Sequence, residues 1–140
     1  MIKKAQRIIT LNIIIPLTAG FLIYVFLKQG THINRFLSLF EINFYMSVPD
    51  NLFFSVLKNW ATDFLWAYAL TFSMYSVLKK YQYGLILSAV SAFLLGAALE
   101  TAQKTDIISG TFDIFDLAAE AFAVILSIII IKGVQKNEKV

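Results

Sequence analysis

The chain has no cysteine, a single histidine and few charges, 15% of its 140 residues. Without cysteine there is no disulfide frame, no thiolate nucleophile and no thiolate metal site. One histidine, His32, excludes the paired-histidine zinc motifs. The shortage of charge says most. With 59% hydrophobic residues and a mean hydropathy of +0.72, the chain has too little polar side chain to cover a soluble globule of its size. Its net charge of +3 comes from Lys and Arg scattered at the ends of apolar runs, not from a basic stripe, so a nucleic-acid partner is not expected.

What is present instead is a set of long apolar runs, at about residues 8–27, 61–78, 84–100 and 114–131. Each approaches the roughly 20 residues that a helix needs to cross about 30 Å of hydrocarbon. The expected fold is all-α: a single membrane domain, residues 1–140, built as a polytopic four-helix bundle. The first run follows Lys3, Lys4 and Arg7 but is too long for a signal-peptide core of about 7–15 residues and lacks a small-residue cleavage site, so it reads as a retained span.

Counted by alternate connecting segments, Lys and Arg divide eight against four. The positive-inside rule then puts both termini and the Lys79-Lys80 turn in the cytoplasm, with segments 28–60 and 101–113 outside. The outer segment has a helical pattern of its own. Ile33, Phe36, Leu37, Phe40 and Phe44 share one face, and Asn34, Arg35, Ser38 and Glu41 the other, as in a helix lying in the membrane interface, with His32 and Arg35 as interfacial polar residues. Pro49-Asp50 should end it. A short turn over 51–58 leads to Trp60 and Trp66, whose rings suit the headgroup level, and 135–140 should fray.

Carboxylates concentrate at one end of this frame. Asp63 opens the second run, Glu100 closes the third, and Asp116 and Glu120 lie in the first turns of the fourth, with Asp113 just before it. Ionisable groups at membrane depth cost at least about 2.5 kcal/mol each on insertion scales, which makes them the place to look for function. On the fourth run Asp113, Asp116, Ala119, Glu120, Ala123 and Ser127 share a helical face; on the third, Ser88, Ala92 and Gly96 lead to Glu100 and then Gln103. Small residues at this spacing let helices approach closely in lipid, so the carboxylates should face a neighbouring helix or a cleft. Simpler roles compete. Asp113 can cap a helix start, and Asp63 can be a first-turn carboxylate favoured by the helix dipole. Glu100 sits where the dipole disfavours it, and Asp116 and Glu120 lie too far inside for capping. Such a group cannot stay fully ionised uncompensated: a proton is taken up, a cation such as Mg²⁺ or Ca²⁺ enters, or Arg35, Lys58 or Lys104 folds over it.

The sequence Leu99-Glu100-Thr101-Ala102-Gln103, followed by Gly110-Thr111-Phe112-Asp113-Ile114-Phe115-Asp116-Leu117-Ala118-Ala119-Glu120 and preceded by Asp63 opening an aromatic-rich run, resembles the VanZ-like family of small multi-span bacterial membrane proteins. The resemblance covers about 60–80 residues of the C-terminal half. The family's Glu-x-x-Gln pair ending one span and Asp opening the next fall on Glu100, Gln103 and Asp116. Three departures stand out: no Arg near Gly110, Glu120 where the family commonly has Asn, and Ala67 where it often has His. Roles tied to that Arg and His therefore do not transfer.

The resemblance implies a place in the bacterial cytoplasmic membrane and a link to tolerance of teicoplanin-type glycopeptides. The first expectation is a non-enzymatic envelope protein. Its outward acidic cleft, formed by Glu100, Gln103, Asp116, Glu120, Asp63, Asp113 and Trp66, would bind a membrane lipid, a lipid-linked precursor or a lipoglycopeptide. The alternatives are a metal- or acid/base-dependent hydrolase of a lipid-linked headgroup and a proton- or cation-coupled carrier. A homo-oligomer is left open, and no resident cofactor is expected.

Overall fold

The computed structural model describes residues 2–28, 32–41, 46–49, 51–105, 107–108 and 112–138. Phe44, Asp50, Ser109, Gly110 and Thr111, together with the side chains of His32, Ile33 and Asn34, lie outside the described residues. The elements run α1 (Ile2–Leu27), α2 (His32–Ser38), α3 (Leu52–Asn59), α4 (Ala61–Leu78), α5 (Gly84–Lys104) and α6 (Ile114–Glu138), with no strand among the described residues.

Three of these helices are long and apolar enough to cross a membrane: Lys4–Leu27 in α1, Gly84–Lys104 in α5 and Ile114–Asn137 in α6. The chain thus has the build of a membrane protein. The second expected span, α4, is 18 residues long, about 27 Å at 1.5 Å per residue, but it falls short on hydropathy. The reason is visible in its surroundings. Helix α4 packs against α1, α5 and α6 together, so Tyr68, Thr71, Phe72 and Tyr75 are buried against protein. Its hydroxyls are answered within the bundle: Thr71 donates to the Ala67 carbonyl at 2.8 Å, and the Tyr75 hydroxyl accepts from Gln135 at 2.8 Å. A sheltered helix need not be as greasy as one facing lipid.

The core has two parts: a seam in which Ile9, Tyr68, Phe72, Tyr75, Ala123 and Ile131 meet, and a smaller cluster of Ala89, Ala92 and Val124 between α5 and α6. Contacts fix the directions. Phe64 with Phe122, Ser127 with the Tyr68 carbonyl and Gln135 with Tyr75 keep a nearly constant offset, so α4 and α6 are parallel. Helix α5 runs back against both of them, after a tight turn in which Gly84 lies so close to the Leu78 carbonyl that a Cβ there would overlap it.

Several boundaries differ from those expected. Helix α1 starts at Ile2 and carries Pro16 inside it; α5 continues past Glu100 to Lys104, and α6 continues to Glu138. Residues 135–138 are therefore helical, because the 3.6-residue ladder carries on past the apolar run. The outer segment is not a single helix over 33–44. Helix α2 ends at Ser38, in a turn where the Glu41 N–H donates to the Ser38 carbonyl and Glu41 takes a left-handed φ of 59°, a conformation that stops a helix. Met46 N–H then returns to the Phe26 carbonyl at the end of α1. Helix α3 begins with Asn51 capping the Phe54 N–H at 3.0 Å and packs on α4 and α1.

Candidate functional site

Because α4 and α6 start at the same end of the bundle and α5 finishes there, Asp63, Glu100, Asp113 and Asp116 converge on one layer, with Glu120 a turn deeper. Each of Asp116 and Glu120 lies within electrostatic reach of Asp63 and Glu100. Asp113 acts on Glu100 and Asp116. The expected small-residue faces are the buried ones: Ser88, Ala92, Gly96 and Glu100 on α5, and Glu120, Ala123 and Ser127 on α6.

The members of the layer are bound very differently. Asp113 caps α6, accepting from the Phe115 N–H at 2.9 Å, while its own carbonyl accepts from the Asp116 N–H at 3.1 Å. That is the simpler role weighed for it. Asp116, expected to lie beyond capping range, is in the first turn of α6, where the helix dipole favours its charge. Asp63 is likewise in the first turn of α4, with the Thr62 hydroxyl at 3.5 Å. Gln103 and Trp66 are half-buried.

Glu100 and Glu120 are the exceptions. They are 5% and 4% exposed, and the Oε2 atom of each has no hydrogen-bond partner among the described residues. Glu100 receives the Asp113 backbone N–H on its carboxyl, so only part of its bonding capacity is used. The Glu120 carboxyl reaches across the α5–α6 interface and lies directly on Gly96, one turn before Glu100; a Cβ there would overlap it. A third buried polar atom without a partner, Trp60 Nε1, belongs to the same end, with the Trp60 ring 5.5 Å from that of Phe115.

A base outside the three expected acts on the layer. Lys28, at the end of α1, is the base whose charge acts on Asp63 and Asp116, whereas Lys104 rests its ammonium over the Phe112 ring at 5.1 Å. Lys28 had counted only toward topology, because nothing local in the sequence ties the end of α1 to the starts of α4 and α6. A second polar pair also escaped the sequence reading. The Tyr68 hydroxyl donates to Asn12 Oδ1, and Asn12 Nδ2 donates to the Ile8 carbonyl at 2.8 Å. The pair borders a cleft of about 300 Å³ that Leu11, Ile15, Pro16 and Phe64 also line. An Asn in an apolar run, four residues before a Pro, was the available signal.

Among the described residues, no three His, Asp or Glu side chains are placed to hold a metal ion. Compared with family models, curated proteins and solved structures, the chain matches none.

Proposed function

We propose that this chain is a VanZ-like protein of the bacterial cytoplasmic membrane, with α4 as a fourth span and both termini cytoplasmic. It binds the headgroup of an envelope amphiphile, a lipid, a lipid-linked precursor or a lipoglycopeptide, through the outward layer formed by Asp63, Glu100, Gln103, Asp113, Asp116 and Glu120, with Trp66 at its rim. The observation that carries this reading is the pair Glu100 and Glu120: buried carboxyls on adjacent helices, each with an oxygen that no described group answers. Polar groups left this way in a membrane bundle are expensive, and such residues mark ligand sites more often than structural ones. Exposed Phe36, Phe40 and Phe53 on the outer segment suit a cap resting in the interface. Mg²⁺ or Ca²⁺ is the less favoured occupant, since among the described residues no three carboxylates gather to one point.

The test uses a susceptible Gram-positive host. Expression should raise tolerance to a lipid-tailed glycopeptide more than to one without the tail, because tail burial contributes about 0.8 kcal/mol per methylene. Glu100→Ala and Asp116→Ala should remove the difference, and Lys136→Ala, at the other end of α6, should not. Equal tolerance to both drugs, or none with the protein confirmed in the membrane, defeats the reading.

A further inference from the structure

Resting on that reading, we infer that the headgroup is a primary ammonium, held between the Glu100 and Glu120 carboxyls at the α5–α6 interface. The argument is one of complementarity. The buried atoms left over on α5 and α6 are both carboxyl oxygens, which accept hydrogen bonds when ionised. An ammonium offers three N–H donors and a positive charge, so one such group answers both oxygens and offsets the repulsion between the two carboxylates. A phosphate or sulfate head would meet Asp63, Asp113 and Asp116 as well as the two glutamates, against the charge of Lys28 among the described residues. Like charges in a water-poor site exclude it. A divalent metal needs more converging ligands than the described residues of the layer supply.

Gly96 gives the site its shape. Lacking a Cβ, it lets the Glu120 carboxyl lie against α5 on the face that leads to Glu100, one turn further along. At this end of α5 and α6 the helices present apolar surface, with Leu95, Leu99, Ile114 and Phe115 exposed, along which an acyl tail can run while the head reaches the two carboxyls. The ligand class is therefore a single-chain or lipid amine.

The chain's two tryptophans, Trp60 and Trp66, both stand at this end of α4, so intrinsic fluorescence reads the site directly. The protein in phosphatidylcholine nanodiscs is titrated with dodecylammonium, dodecyltrimethylammonium, dodecyl sulfate and dodecyl maltoside. A saturable change is expected with dodecylammonium alone, and Glu100→Gln or Glu120→Gln, each keeping the side chain's shape, should weaken it by about tenfold. Saturation by the sulfate or the maltoside as well, or dodecylammonium binding unchanged in both variants, overturns the inference while leaving a headgroup site. Equal saturation by the trimethyl probe, which has no N–H to donate, overturns it as a hydrogen-bonded ammonium site. Saturation by none of the four overturns both the inference and the proposed function.

Discussion

Buried polar groups toward the two ends of α5 and α6 obey different rules. Toward Lys79-Lys80 they are Ser88 on α5 and Ser127 on the α4-facing side of α6, each 0% exposed, and each returns its hydroxyl to its own helix: Ser88 to the Gly84 carbonyl, Ser127 to the Ala123 carbonyl at 2.8 Å. In the other half they are Glu100 and Glu120, and part of each carboxyl is answered by nothing described. Hydroxyl and carboxyl differ in what they can do alone. A serine hydroxyl can donate to the carbonyl four residues back, so it brings its partner with it into the membrane. A carboxylate only accepts, and helix-interior N–H groups are already used, so it must find a donor elsewhere. The bundle satisfies buried polarity where side-chain chemistry allows, and the carboxylate half departs from this.

The two glycines of α5, one at its start and one at its middle, give the largest expected contrast. Gly84 meets the Leu78 backbone carbonyl, whereas Gly96 meets the end of a side chain, the Glu120 carboxyl. Gly84→Ala must move the chain at the α4–α5 turn and should cost about 3 kcal/mol, the upper part of the range for overpacking. Gly96→Ala can be accommodated by swinging Glu120 aside, so it should cost less than about 1 kcal/mol while displacing the carboxyl. Thermal unfolding in detergent ranks the two. Equal losses would mean that the Glu120 carboxyl is held as rigidly as backbone, and the two halves would then not differ as described.

Capping at the carboxylate end comes next. Asp113→Ala removes the acceptor for the Phe115 N–H and should cost about 1 kcal/mol. Asp113→Asn, which keeps an acceptor, should restore most of it, as read by the same unfolding midpoint. Failure of the Asn variant to recover would show that the charge of Asp113, not its cap, supports the layer.

How far the site could be read in the sequence depends on whether its evidence is local. The buried faces of α5 and α6 follow from four-residue spacing, and Ser88, Ala92, Gly96 and Glu100 fall where that spacing puts them. Asp113 as a cap is equally local. Lys28 was not legible, because its link to Asp63 and Asp116 arises only once α1 is packed beside α4. The single outer helix failed at Glu41, whose left-handed backbone ends a pattern that amphipathicity alone would carry on to Phe44. The helix over 61–78 was legible with its bounds, but only packing tells that it is sheltered and so tolerates Tyr68 and Thr71.

The smallest effects are the sharpest test, because they should differ in sign. Ser127→Ala deletes a hydroxyl that answers its own helix at 2.8 Å and the Tyr68 carbonyl only at 3.5 Å. Most of what is lost is intrahelical, and the cost should stay below about 0.6 kcal/mol, the mean for hydrogen bonds between membrane helices. Glu120→Gln keeps the side chain's volume against Gly96, removes a charge that acts against Asp63, Glu100 and Asp116, and adds an amide donor to a layer rich in acceptors. Stability without ligand should therefore hold or rise, since a buried charge surrounded by like charges opposes folding. The two variants, measured side by side by unfolding in detergent, separate a polar group kept for the fold from one kept against it. A loss in Glu120→Gln as large as that in Ser127→Ala would place Glu120 among the structural groups, and the asymmetry between the two halves would no longer point to a ligand.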